Sequence, residues 1–143
     1  MPSLGVIANP ASGKDIRRLV SYATIIDNQE KVNIIKRLVL AAQSLGVDTV
    51  LFMPDSYHFG EVVIDDLTAD RRLTASCEVM DLPIYASQED SVRAAAEMER
   101  RGVGCIVVLG GDGTSRAVAK SVRDTPILPL STGTNNAYQE MIE

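Results

Sequence analysis

Three stretches combine glycine with hydroxyl, amide or charged side chains: Asn9-Pro10-Ala11-Ser12-Gly13-Lys14, Gly110-Gly111-Asp112-Gly113-Thr114 and Ser131-Thr132-Gly133-Thr134-Asn135-Asn136. In the middle one, three glycines permit positive φ and clear the path of a ligand, so that successive backbone N–H groups can converge on a phosphate. Thr114 is placed to cap a following helix, whose amino terminus adds positive potential. Asp112 is the unexpected member. A carboxylate beside phosphates repels them unless it holds Mg²⁺ or takes the proton of a hydroxyl about to be phosphorylated. Either role suits phosphoryl transfer, where positioning and charge stabilisation dominate. The plainer alternative is a glycine-rich turn with Asp112 as a local helix cap.

The first stretch offers Asn9, Ser12 and Lys14 as phosphate or ribose contacts, against a simple tight turn. It is not a Walker A loop, which needs glycine where Ala8 stands and Ser or Thr where Asp15 stands. The dinucleotide fingerprint is missing too: Gly111-x-Gly113 lacks its third glycine at Arg116, and Gly102-x-Gly104 comes before its strand, with Val107 at the last position. In the third stretch Thr132, Thr134, Asn135 and Asn136 surround Gly133 with groups suited to hydrogen bonding a nucleotide, or to capping a last helix. His58, the single histidine, reads as solvated or capping, which argues against a His-based triad. Asp65-Asp66 reads as a solvated helix face, because adjacent helix residues do not share a face. Cys77 and Cys105 have no CxxC partner or His-rich surroundings and read as buried reduced thiols, with no protein-held metal site.

Each stretch directly follows an apolar run. Leu4–Ala8, Val47–Met53, Ser76–Leu82, Cys105–Leu109 and Ile127–Leu130 read as strands; Cys105–Leu109 is apolar throughout and so expected to be buried on both faces. Pro129 places the last strand near an edge, or interrupts its hydrogen bonds there. Between them, Gln29–Leu45 repeats Val32, Ile35, Leu38, Val39, Ala42 and Leu45 at helical spacing, with Lys31, Lys36, Arg37 and Gln43 on the other side and Gly46 as a stop. Asp15–Tyr22 is a shorter helix of its own on the same reasoning. Gly60–Leu67, Gln88–Arg101 and Ser115–Val122 complete the helices, and Asn135–Glu143 begins another. Alternating strands and helices imply an α/β fold, a three-layer doubly wound parallel sheet of Rossmann-like type with right-handed crossovers. In such sheets ligands bind beyond the carboxyl ends of the strands, where the three stretches fall.

Bulk properties narrow the function classes. The 143 residues are 45% hydrophobic and 23% charged, which suits one soluble domain with a sizeable core. A net charge of −5 disfavours a broad nucleic-acid or anionic-lipid footprint while leaving room for a local phosphate site. No window approaches the roughly 18 apolar residues of a membrane span, and the start lacks a signal-peptide pattern, so the cytoplasm is the expected compartment. Homo-oligomerisation is left open.

Taken together the loops resemble a known superfamily. Val107-Val108-Leu109 running into Gly110-Gly111-Asp112-Gly113-Thr114 resembles the signature shared by NAD kinases, diacylglycerol and sphingosine kinases and, more distantly, phosphofructokinases. Asn9-Pro10-Ala11-Ser12-Gly13 resembles the lipid-kinase side, but Ser115-Arg116 stands where lipid kinases usually carry Asn-Glu. Ser131 to Ala137 is most similar to the ATP-NAD kinase/AcoX group, the latter named for acetoin catabolism; lipid kinases usually have Asn-Asp where this chain has Asn135-Asn136. The resemblance runs from Val6 to Ala137 and implies residues 1–143 as the nucleotide-binding amino-terminal domain. The family's β-rich second domain, with an Asn-Glu motif not found here, is expected to be absent from this chain. It further implies ATP with Mg²⁺, Asp112 activating the acceptor hydroxyl (the adenosine 2′-OH if the acceptor is NAD), and Gly110, Gly111, Gly113 and Thr114 holding phosphates. Asn9, Thr132, Thr134 and Asn135 would line the same cleft. A lipid-kinase relative and a non-catalytic nucleotide-binding or interaction module are the alternatives.

Overall fold

In the computed structural model, which describes residues 2–10 and 18–130, strands and helices alternate. The order is β1 (Ser3–Ala8), α1 (Arg18–Ser44), β2 (Thr49–Phe52), α2 (Phe59–Ala69), β3 (Ser76–Val79), α3 (Gln88–Arg100), β4 (Cys105–Leu109), α4 (Asp112–Ser121) and β5 (Ile127–Leu130). The strands pair in parallel in the order β3-β2-β1-β4-β5. The three central strands β2, β1 and β4 are largely buried and too apolar to leave a face in water, so helices cover both faces of the sheet. On one face Val6, Ala8, Phe52 and Leu109 pack with Val32, Ile35 and Val39 of α1 and Phe59, Val63 and Leu67 of α2. On the other, Ile7, Leu51, Ile106 and Val108 pack with Ala94, Ala95 and Met98 of α3 and Val118 of α4. Gly5 shows how close α3 lies. A Cβ there would sit 2.5 Å from Sδ of the fully buried Met98, so this strand position has no room for a side chain.

The doubly wound parallel sheet expected from the sequence is present, and β4 and β5 have the expected limits. Pro129 lies opposite Val108 in β5, which pairs with β4 at one edge of the sheet, as its missing N–H requires. The amino-terminal helix is different. Instead of separate segments over 15–22 and 29–45, one helix runs from Arg18 to Ser44, since no Gly or Pro interrupts 18–44. The apolar period fails midway because polar residues occupy its buried side: Asn28 and Lys31 are each only 5% exposed. Lys31 is therefore not on the solvent side of the helix. α4 also begins three residues earlier than the expected Ser115, at Asp112. A helix over 135–143 lies outside the described residues.

At the amino end of the sheet, side chains tie the connections down. Glu99 of α3 accepts the backbone N–H groups of Arg123, Asp124 and Thr125 and the Thr125 hydroxyl, at 2.8–3.1 Å, which fixes the turn into β5. Those donors, the Asp124 and Arg123 amides foremost, hold its carboxyl down at about 2. Gln43 of α1 accepts the N–H groups of Thr74 and Ala75 and donates to the Arg72 carbonyl, which orients the chain leading into β3. Lys36 meets Asp66 at 2.6 Å and joins α1 to α2, so only part of the Asp65-Asp66 pair is a purely solvated face.

Candidate functional site

The register brings the strand ends level. Ala8 pairs with Leu109, and Leu109 with Leu130, so the chain leaves β1, β4 and β5 at one height along the sheet. The strand order reverses between β1 and β4, which makes this the crevice where doubly wound sheets receive ligands. Asn9 and Gly110, the first residues beyond their strands, stand side by side there.

Asn9 is the junction of four elements. Its Nδ2 donates to Thr114 Oγ1 of α4 at 3.3 Å, and its Oδ1 accepts from Ser91 Oγ of α3 at 3.1 Å. Its backbone carbonyl accepts from Lys31 Nζ of α1 at 2.7 Å. The first and second glycine-bearing stretches, far apart in sequence, thus meet through one side chain. Sequence reasoning named Asn9 and Thr114 but missed Ser91 and Lys31. A signal existed for Ser91: with Ala94, Ala95 and Met98 it follows the i, i+3, i+4, i+7 stripe that α3 buries, and it is the polar residue on that stripe. Lys31 likewise sits one turn before Ile35 on the buried side of α1.

The amino terminus of α4 completes the crevice. Gly111 is its N-cap, extended at φ −85°, and Asp112 is its first helical residue. Gly111 has no side chain to occupy the amides of the first turn, which helix geometry leaves without intrahelical acceptors. Thr114 is therefore not the cap expected from sequence. It lies inside the first turn, where its hydroxyl accepts from Asn9 instead. Among the described residues a Cβ on Gly111 would meet nothing within 4 Å, whereas a Cβ on Gly113 would lie 3.4 Å from Gln88 Nε2 of α3. Gly110 turns its N–H back to the Leu130 carbonyl at 3.3 Å, which links the loop to β5.

The neighbouring loops are closed by carboxylates. Asp55, after β2, is 4% exposed and accepts the N–H groups of Tyr57 at 2.8 Å and Phe59 at 3.1 Å, at the start of α2. Burial pushes its carboxyl up to about 6, with the Phe59 and Tyr57 amides acting in the opposite direction. Asp90, in the first turn of α3, accepts the N–H groups of Ala86 at 2.8 Å, Tyr85 at 3.1 Å and Ser87 at 3.4 Å. It holds Ala86 at φ 57°, which costs a non-glycine residue about 1–2 kcal/mol. Arg93 approaches Asp90 at 3.5 Å and stacks its guanidinium 5.1 Å from the centre of the exposed Tyr85 ring. His58 is exposed and stands at the N-cap of α2 without a side-chain cap bond. Cys77 and Cys105 are free and half-buried, with burial pushing both thiols up, so they are packing groups rather than nucleophiles.

Ser12, Lys14, Thr132, Gly133, Thr134, Asn135 and Asn136 lie outside the described residues, as does the side chain of Asp112. Among the described residues no group of three His, Cys, Asp or Glu side chains could hold a metal ion, and no helix is long and apolar enough to cross a membrane.

Comparison with known proteins gives the arrangement a family. Residues 4–143 match the model of the ATP-NAD kinase N-terminal domain. The chain belongs to that family. The domain is also 44% identical, over 146 aligned residues, to acetoin catabolism protein X of Cupriavidus necator, a match that covers 99% of this chain and 40% of the relative. The chain thus spans well under half the length of that curated relative. No solved structure matches it. The sequence resemblance to the ATP-NAD kinase/AcoX group is accordingly correct, and the crevice beside Asn9 belongs to an NAD-kinase-like nucleotide-binding domain.

Proposed function

We propose that the crevice between β1 and β4 binds the phosphates of ATP, and that the protein carrying this domain transfers the γ-phosphoryl group to a hydroxyl, the 2′-OH of NAD being the first candidate. One observation carries the reading. Asn9 bridges the loop after β1 to Thr114 in the first turn of α4, at the point where the strand order reverses. Backbone amides of Gly111, Gly113 and Thr114 then lie where an anion gains from both hydrogen bonds and the helix terminus. Ser12, Thr132, Gly133, Thr134 and Asn135 are proposed to line the same cleft on the strength of family resemblance.

Each group has a distinct task in transfer. The Gly110–Thr114 backbone orients the phosphates, and Asn9 holds the two loops in one geometry. Asp112 accepts the proton of the acceptor hydroxyl as that oxygen bonds to the γ-phosphorus; the bond from phosphorus to the β–γ bridging oxygen breaks, and ADP leaves with the electron pair. Mg²⁺ bound to the phosphates would neutralise charge on them, and Asp112 is the nearby carboxylate in sequence that could help hold it. The acceptor site is proposed to draw on the family's second, β-rich domain. The acetoin-catabolism name of the 44% identical relative supports a second reading in which the acceptor is a hydroxyl compound other than NAD.

The test is phosphoryl transfer by the protein carrying this domain, from radiolabelled ATP to NAD, with Asp112→Asn as the variant. The expected result is a loss of about 10²–10⁴-fold in turnover with ATP affinity within about threefold. Undiminished turnover would remove Asp112 from the proton transfer, and loss of folding would make it a structural cap instead.

A further inference from the structure

We propose that Ser91 is a positioning residue: it sets the direction of a hydrogen-bond chain, Ser91 to Asn9 to Thr114, that turns the Thr114 hydroxyl proton outward for a nucleotide phosphate oxygen. The inference rests on the nucleotide reading of the site and adds to it a residue outside the glycine-rich loops.

Donor and acceptor counts set the direction of the chain. A hydroxyl has one proton to give and lone pairs to accept with, whereas an amide side chain has a donor end and an acceptor end. Ser91 is fully buried, so its proton must find a partner inside the protein. Among the described residues two acceptors are in reach: Asn9 Oδ1 at 3.1 Å and Met53 Sδ at 3.6 Å. The amide oxygen is much the stronger acceptor, so it takes the proton. That choice fixes the Asn9 amide with its NH₂ end toward Thr114, where Nδ2 lies 3.3 Å from Oγ1. Having accepted there, Thr114 directs its own proton elsewhere. Lys31, bonded to the Asn9 carbonyl at 2.7 Å, holds the backbone of the same residue.

Direction decides what the crevice offers. With the amide reversed, Thr114 would donate inward to Asn9 and present only lone pairs to an incoming phosphate, which repels them. With the observed direction, the hydroxyl joins the first-turn amides of α4 as a further donor. A buried serine on the far helix therefore sets the sign of the contact at the loop.

Two measurements test this on the 143-residue chain. The first needs no ligand. In nuclear magnetic resonance spectra the Asn9 side-chain amide protons should exchange slowly in the wild type, and about tenfold faster in Ser91→Ala as the amide loses its anchor. Ser91→Thr, which keeps the hydroxyl, should retain the slow exchange. The second is titration with ATP·Mg²⁺. Thr114→Val should weaken binding about 10–100-fold and Ser91→Ala about 3–10-fold, and Ser91→Ala should cost nothing more in the Thr114→Val background. Additive losses, or Asn9 protection unchanged in Ser91→Ala, would overturn the proposal while leaving the nucleotide reading in place. Failure of the wild type to bind ATP would overturn the nucleotide reading and the phosphate end of the chain with it.

Discussion

The loops after β2 and β3 are held by carboxylates, whereas those after β1 and β4, at the same end of the sheet, are joined by neutral side chains. Asp55 and Asp90 each gather backbone N–H groups onto a nearly buried carboxyl, which closes the loop on itself. Asn9, Ser91 and Thr114 instead bond one another. The glycines at the start of α4 add no side chain that could take up its first-turn amides. A carboxylate bonded to those amides, as Asp55 and Asp90 are to theirs, would occupy the place an anion needs. The outer loops are tied down for stability, whereas the central ones are proposed to take a ligand.

This contrast predicts a separation of effects. The largest loss of stability belongs to Asp90→Ala, which strands the Tyr85, Ala86 and Ser87 amides, leaves Arg93 without its carboxylate, and releases the strained Ala86. Chemical denaturation should show a fall of about 2–4 kcal/mol, with ATP affinity of the folded molecules changed less than about threefold. An equal loss of affinity would mean that the outer loop also shapes the site.

Asp55 sharpens the contrast through pH. Its folded pKa, about 6, lies above the ordinary 3.8 because burial penalises the charge. The folded state therefore holds a proton that the unfolded state has lost between those values. Its contribution is fully present below about 3.8 and disappears as pH rises through about 6. Relative to Asp55→Asn, the wild type should thus lose stability on the order of 2–3 kcal/mol between pH 4 and pH 7. A flat difference across that window would show that the amides of Phe59 and Tyr57 outweigh burial.

Asn9→Ala should do the opposite of Asp90→Ala. Titration calorimetry should give about tenfold weaker ATP binding, with a stability loss of about 1 kcal/mol from the buried Ser91 hydroxyl left without its amide acceptor. The smallest effect is expected at the other end of the sheet. Glu99→Gln should speed amide hydrogen exchange at Arg123 to Thr125, where the carboxylate now accepts, and leave nucleotide binding untouched.

The sequence made the fold readable because β4 and β5 are uninterrupted apolar runs and the glycine-bearing stretches follow strands. The family signature made Asp112, Gly110, Gly111, Gly113 and Thr114 readable as a group. What periodicity could not reveal were polar residues on buried faces. Lys31 and Asn28 break the apolar pattern of α1 and make one helix read as two segments, and periodicity puts Lys31 in solvent although it bonds Asn9. Ser91 shows its role only when its place on the α3 stripe is matched with Asn9 across the sheet. Thr114 differs from its expected capping role for a related reason: a cap is a local pattern, but its actual partner lies 105 residues away.

The crevice at Asn9 and the Gly110–Thr114 loop is proposed to receive nucleotide phosphates. Calorimetric titration of the 143-residue chain with ATP·Mg²⁺ and then NAD, at matched ionic strength and in parallel with Asn9→Ala, tests it most directly. Saturable ATP binding at one site, weakened in Asn9→Ala and with NAD binding weaker or absent, is the predicted result. No binding of ATP, or binding indifferent to Asn9, would contradict it.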